Sequence, residues 1–208
     1  MAGAQTAGRG RRARPWSSPP GNFYGTLAMR VAEPAAEVAL RSFAAALALR
    51  DAFVALTGLP GSFQLKWPND VLLNGGKIAG ILLETTGDIL AIGIGVNLIA
   101  APPPEAVEPG ATLPVSLLAE TGLRLSPNAF LDRLAPAYAR REQAFLSGGF
   151  AALRADWLAH AARLGETITA RTGTETRQGI FETVDPCGNL ILRTPAATLA
   201  IPAAEVFF

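Results

Sequence analysis

The sequence predicts an α/β fold of the α+β type, with a mixed, mainly antiparallel sheet backed by helices and a small β module at the C-terminus. Three observations carry this. An alanine- and leucine-rich stretch from Pro34 to Gly58 has the length and composition of a helix, and helical composition returns between Ser126 and Arg163. Between them lie several short apolar runs separated by turn residues. From Gly165 onward only short, strand-like runs remain.

Taken in order, residues 2–25 mix glycine, arginine, serine and proline without a period. Pro15, Pro19, Pro20, Gly21 and Gly25 forbid a continuous helix, so this stretch reads as a loop. A short apolar run, Thr26 to Val31, follows. Pro34 stands where a helix's first turn accepts proline, and Gly58 is a C-terminal stop. Phe63 to Trp67 and Val71 to Leu73 read as strands, with Asn74-Gly75-Gly76 as the turn after them. Lys77 to Glu84 and Ile89 to Leu98, separated by Thr85 to Asp88, read as adjacent antiparallel strands. Residues 100–114, with five prolines, form an irregular connection. Ser126 is a natural N-cap for a helix from Pro127 to about Leu146, which Pro136 is expected to kink or divide. A second helix is expected from Phe150 to Arg163. Thr167 to Arg171, Gly179 to Val184, Leu190 to Arg193 and Thr198 to Ile201 then read as strands of a barrel-like module, with Asp185-Pro186-Cys187-Gly188-Asn189 as one of its turns.

Composition narrows the function classes. The 208 residues, 50% of them hydrophobic, suffice for one domain with a small appendage. A formal net charge of +1 gives no global basic field for nucleic acid, although Arg9, Arg11, Arg12 and Arg14 cluster locally. Cys187 is the only cysteine, which excludes an intramolecular disulfide and a cysteine-rich zinc site and fits a cytoplasmic protein. His160 is also alone, which weakens any Ser/His or Cys/His mechanism and reads as a helix-surface or packing residue. Arg41, Arg50 and Asp51 interrupt the most apolar stretch, arguing against a membrane span. The basic N-terminus lacks the apolar core of a signal peptide.

Three segments carry chemistry. In Gln5-Thr6-Ala7-Gly8-Arg9-Gly10-Arg11-Arg12-Ala13-Arg14-Pro15-Trp16, glycines permit close backbone approach and arginines supply donors for phosphate or carboxylate. A ligand loop and a nucleic-acid arm fit these residues equally; a P-loop does not, because no Gly-Lys-Ser/Thr follows. In the second segment, Lys66-Trp67-Pro68-Asn69-Asp70 precedes Gly76-Lys77-Ile78-Ala79-Gly80. Lys77 on an apolar strand needs a partner, which is either an anionic ligand or Asp70. In the third, Gly93-Ile94-Gly95-Val96-Asn97, alternating glycines leave one strand face bare for another backbone or a flat ligand, and Asn97 offers an amide at the strand end.

The order and spacing of Gly8-Arg9-Gly10-Arg11-Arg12-x-Arg14-x-Trp16, Lys66-Trp67-Pro68-Asn69-Asp70, Lys77-x-x-Gly80-Ile81-Leu82-x-Glu84 and Gly93-x-Gly95-x-Asn97 resemble biotin protein ligases over nearly the whole chain. The resemblance implies a catalytic domain over residues 1–162 and a C-terminal SH3-like β-barrel module over 163–208. It implies ATP-dependent activation of biotin as an adenylate, with Mg2+, and transfer to a lysine of a biotin carboxyl carrier protein. Lys77 is then the first choice for catalytic cation, contacting the biotin carboxylate and the α-phosphate. Arg11 and Arg14 lie over the acyl phosphate; Gln5, Gly8, Arg9, Gly10 and Gly80 belong to the biotin site. Trp16 packs near the adenine, Asn69 and Asn97 hold the nucleotide, and Asp70 receives or orients the acceptor lysine. No metal-ligating cluster is distinguished, no helix-turn-helix for DNA is seen, no membrane partner is implied, and a homodimer is left open.

The chain departs from the family pattern in two ways. Ala13 stands at a usual glycine, which stiffens the loop. Met1 stands four residues before Gln5, so the upstream Ser-Thr-Asn segment that holds the ureido group is absent from this sequence and weak biotin binding is expected. A lipoate ligase, a catalytically dead binding remnant and a nucleic-acid binder are the competing readings.

Overall fold

The computed structural model describes residues 1–173 and 175–208. The first sheet contains β1 (Phe23–Arg30), β2 (Phe63–Lys66), β3 (Asp70–Leu73), β4 (Gly76–Thr86) and β5 (Ile89–Val96), in the spatial order β1-β5-β4-β3-β2. All four of its strand pairs are antiparallel, the pairing that short hairpin turns allow. One face is covered by α2 (Arg41–Thr57), preceded by the short α1 (Ala35–Ala39). α2 is buried along most of its length because α4 (Pro127–Gly148) packs on its other side. Its alanines let the three layers approach, and Phe53 stacks on Phe63 at 5.0 Å and meets Phe130 at 5.1 Å. Gly58 ends the helix in the left-handed conformation (φ +70°) expected of such a stop.

Arg41, one of the charges that argued against a membrane span, is buried in this layer and paired with Glu33 at 2.7 Å and Glu142 at 2.9 Å. Among the described residues, no helix is long and apolar enough to cross a membrane.

Several sequence expectations are corrected. The N-terminal loop ends at Asn22, because Phe23 to Gly25 already pair with β5; a single 3-10 turn occupies Arg11–Ala13. β5 stops at Val96 rather than Leu98. α4 runs through Pro136 undivided, with Ser126 accepting from the Ala129 N–H as expected of an N-cap. Pro136 and Asp132, whose carbonyl loses its helical donor, both lie on the exposed face, which leaves that carbonyl accessible to solvent. α3 (Leu117–Thr121), capped by Ser116, was not foreseen. α5 (Ala151–Ala159) ends before Arg163 because the edge of β2 captures the following residues: the Ala162 N–H donates to the Leu65 carbonyl at 2.8 Å.

The C-terminal module is an antiparallel sheet of β6 (Thr167–Arg171), β7 (Thr176–Val184), β8 (Leu190–Arg193), β9 (Thr198–Ile201) and β10 (Glu205–Phe207), in the order β10-β6-β7-β8-β9. β7 begins three residues earlier than expected, and β10 is an addition to the expected set. The ladder is not closed between its outer strands, so the module is a sheet rather than a closed barrel. It is fastened to the first layer at several points. Trp67 donates to the Gly188 carbonyl at 3.0 Å, and Arg154 donates to Thr183 Oγ1 at 3.1 Å. Gly188 is wedged so closely that a Cβ there would lie 2.7 Å from Leu40.

Candidate active site

The sheet face opposite α2 carries a row of residues set by register. Lys66 pairs with Asp70, Asp70 with Gly80, Gly80 with Gly95, and Gly95 with Tyr24. Directly opposed residues share a face, so one line across five strands presents two charged groups, two bare glycines and a tyrosine. Strict alternation along β5 explains the glycines: Leu90, Ile92, Ile94 and Val96 fill the core, while Gly93 and Gly95 face outward.

Lys77 joins this face through a bulge. Alternation from Gly80 would turn Ile78 toward the site and Lys77 toward the core. The pairing shifts instead between Val71 and Leu72, so that Val71 opposes Ala79 while Leu72 opposes Lys77. The additional β4 residue turns Lys77 to the Asp70 side, an effect bulges have at functional sites. Lys77 Nζ lies 2.8 Å from Asp70 Oδ1, with the two side chains 29% and 15% exposed. The sequence left Asp70 and an anionic ligand as alternatives for Lys77; Asp70 is its partner here, and the pair still faces the cavity.

The bare glycine face is covered by a side chain of the same chain. A Cβ on Gly95 would stand 2.6 Å from Trp16 Cε2, and one on Gly80 would stand 3.0 Å from Trp16 Cζ3, so the indole lies flat on both. Its buried Nε1 has no hydrogen-bond partner, and its ring lies 5.5 Å from Lys77 Nζ. The arginine loop folds back to deliver Trp16: the Trp16 N–H donates to the Gly8 carbonyl at 2.9 Å, and the Gly10 N–H donates to the Arg14 carbonyl at 2.8 Å. Gly8 has no room for a side chain, since a Cβ would meet Trp16 O at 2.7 Å and Gln5 Oε1 at 2.8 Å. Ala13 sits at φ +58°, a left-handed conformation that glycine adopts at lower cost.

The C-terminal module closes the site. Arg14 pairs with Glu108 at 2.9 Å and also with Glu205; Arg171 pairs with Glu108 at 2.6 Å and Glu205 at 2.7 Å. Burial raises the Glu205 pKa, but the two arginines outweigh it and hold the carboxyl below its ordinary range. Arg11 donates to the Ala204 carbonyl at 3.3 Å. Burial lowers its guanidinium pKa, and the Asp70 charge opposes that shift.

The resulting cavity of about 700 Å3 is lined by Gln5, Arg9, Gly10, Arg11, Arg14, Trp16, Asn69, Asp70, Lys77, Gly80 and Asn97. Of the residues singled out from the sequence, Gly8 alone lies outside the lining, packed behind Trp16 and Gln5. Asn97 donates to the Val115 carbonyl at 3.1 Å and leaves a buried Oδ1 without a donor. Asn69 Nδ2 is spent on the Ile81 carbonyl at 2.5 Å, and Arg14 on the two glutamates. Sequence reasoning left Thr112, Glu108, Ala204, Glu205 and Phe207 out of the site, and Lys66 appeared only as part of a motif. The wall residues come from a proline-rich connection and from a three-residue strand with the residue before it, neither with a local signal. Among the described residues, no three His, Cys, Asp or Glu side chains are grouped to hold a metal ion.

Such a cavity, with cations beside a flat floor formed by the Trp16 indole on its two glycines, suits a ligand that joins an anionic group to a ring system. Residues 1–98 match the model of the biotin/lipoate A/B protein ligase family, and residues 164–208 match the biotin protein ligase C-terminal domain. The chain belongs to this family. It is 56% identical over its full length to biotin–[acetyl-CoA-carboxylase] ligase of Paracoccus denitrificans, covering 89% of that protein. It is 34% identical to the Mycobacterium tuberculosis enzyme of the same name, over 97% of this chain and 75% of that one. Against the bifunctional ligase/repressor of Bacillus subtilis the identity is 29%, over 99% of this chain but only 64% of the relative. In structure it resembles the biotin protein ligase from Aquifex aeolicus in complex with biotin and ATP: TM-score 0.85, 25% identity, covering 98% of this chain and 85% of the other.

Proposed function

We propose that this chain activates biotin with ATP and transfers it to a lysine of a carrier protein. The biotin carboxylate attacks the α-phosphorus and expels pyrophosphate; the carrier amine then attacks the mixed anhydride and releases AMP. Both first-step reactants are anions, whose repulsion is ~1 kcal/mol per close charge pair in water and ~4 kcal/mol at an effective dielectric of 20. Fixed cations at the reacting centre offset it. The observation that carries this reading is Lys77, brought by a bulge onto the glycine-lined face beside Asp70.

In this reading Lys77 bridges the carboxylate and α-phosphate, and Arg11 lies above them. Arg14 holds the loop through Glu108 and Glu205. Gln5, Gly8, Arg9, Gly10 and Gly80 frame biotin. Trp16, Asn69 and the free Asn97 Oδ1 belong to the nucleotide side, and Asp70 receives the acceptor lysine. Residues 1–162 form the catalytic unit and 163–208 the C-terminal one. Mg2+ would arrive with the triphosphate and neutralise its charge; among the described residues no three His, Cys, Asp or Glu side chains are grouped to hold it. The acceptor is the biotin carboxyl carrier domain of a carboxylase, in keeping with the acetyl-CoA carboxylase in the names of two relatives, and the reaction is placed in the cytoplasm.

The test is to incubate the chain with biotin, ATP and a carrier domain, and to map adducts by mass spectrometry. One biotinylated lysine, dependent on ATP, is expected. An adduct formed with lipoate but not biotin replaces the substrate. No adduct, with nucleotide binding alone by calorimetry, turns the protein into a binding remnant.

A further inference from the structure

The charge accounting of buried cations singles out Lys66. It ends β2 and is 7% exposed, yet no carboxylate among the described residues comes within ion-pair distance. Its ammonium donates once, to Thr112 Oγ1 at 2.6 Å, and lies 4.6 Å from the Phe208 ring centroid. Two of its three donors remain unused. Arg41, equally buried, has two glutamates. Asp70, opposite Lys66 in the sheet, has its Oδ1 engaged by Lys77. Asp70 and Glu205 act on Lys66 only from beyond ion-pair distance, and a buried cation with no carboxylate in contact is costly unless an anion arrives to meet it. Lys66 lines the same cavity as Lys77 and Arg11.

We propose that Lys66, anchored by Thr112, binds the pyrophosphate end of ATP, the part that leaves; this rests on the ligase reading above. Its position in the row gives the reason. Biotin lies beside Gly80, whose outer face the Trp16 indole covers, and Lys77 stands at the reacting phosphorus. The biotin carboxylate oxygen bonds to the α-phosphorus as the bond from that phosphorus to the β-bridging oxygen breaks. The electron pair stays on the bridging oxygen and no proton moves. Attacking and leaving oxygens lie roughly in line, so the leaving group departs from the face of the phosphorus away from biotin, where Lys66, two strands from Lys77 in the sheet, meets it. Strands are spaced about 4.8 Å apart, and β2 lies two strands from β4, a span a diphosphate can bridge. Burial lowers the Lys66 amine pKa, and a bound anion would restore its charged form.

The test uses the whole chain and calorimetry with ATP, AMP and inorganic pyrophosphate. Lys66→Met keeps the length of the side chain and removes a desolvated charge, so its melting temperature should not fall. It should weaken ATP and pyrophosphate by about 10- to 100-fold and leave AMP unchanged. Thr112→Val, on a less buried residue, should do the same to a smaller degree and serves if Lys66→Met fails to fold. Unchanged affinity for all three ligands, or ATP and AMP weakened by the same factor, overturns the proposal. An unaltered chain that binds neither ATP nor AMP sinks the ligase reading itself.

Discussion

Lys77→Met and Asp70→Asn both break the 2.8 Å pair, yet they leave different groups behind. The pair is partly exposed, so breaking it should cost about 1 kcal/mol with either variant, since solvent screens such contacts. For a chain of this size that is ~2–4 °C in melting temperature, and both variants should fold. Their chemistry should separate. Lys77→Met removes the fixed cation from the reacting centre, and adenylate formation should slow ~10²–10³-fold, or ~3–4 kcal/mol of activation energy. Asp70→Asn keeps the ammonium; that first step should slow less than ~10-fold, while transfer to the carrier lysine slows more. Single-turnover pyrophosphate release reads the first step, and transfer from preformed biotinyl-5'-AMP reads the second. If the two variants slow pyrophosphate release by the same factor, Lys77 is only half of a structural pair and the argument for its catalytic role is refuted.

Three further outcomes follow from the geometry. Gly95→Ala sets a methyl group 2.6 Å from the Trp16 ring, so the indole must leave its slot; red-shifted tryptophan emission and at least ~10-fold weaker ligand binding should result, and an unchanged spectrum would contradict the assigned packing. Ala13→Gly should raise stability by up to ~1 kcal/mol by relieving the φ of +58°, read as a higher unfolding midpoint; no gain would mean the loop stores no strain there. Glu205→Gln should loosen the arginine loop, seen as faster proteolysis between Arg9 and Arg14. Because the folded Glu205 pKa is depressed, its contribution is present above the unfolded value near ~4.3 and is lost as pH falls through the lower folded value. The difference from the unaltered protein should therefore be full at neutral pH and shrink as the pH is lowered; a difference that stays constant down to the acid limit of the folded state would assign Glu205 a role beyond its ion pairs.

What the sequence by itself determined is local or periodic. Helix α2 followed from composition and its left-handed stop, β4 and β5 from apolar runs around Gly87, and the bare face of β5 from glycines alternating with core residues. Motif order drew together nearly all the cavity-lining candidates, because each motif holds its residues within a few positions of one another. Tertiary structure decided the rest. Gly93 and Gly95 announce an empty face but not its occupant, since Trp16 arrives from nearly eighty residues away. Lys77 faces Asp70 only because a bulge interrupts a period of two, and that interruption exists in the pairing of β3 with β4 rather than in either strand alone. Glu205 and Ala204 reach the arginine loop across more than 190 residues, and β10 is too short to carry a pattern. The unpaired charge of Lys66 is likewise invisible in the chain: a lysine within a motif says nothing of whether a carboxylate stands beside it, and burial is a property of everything packed around the side chain.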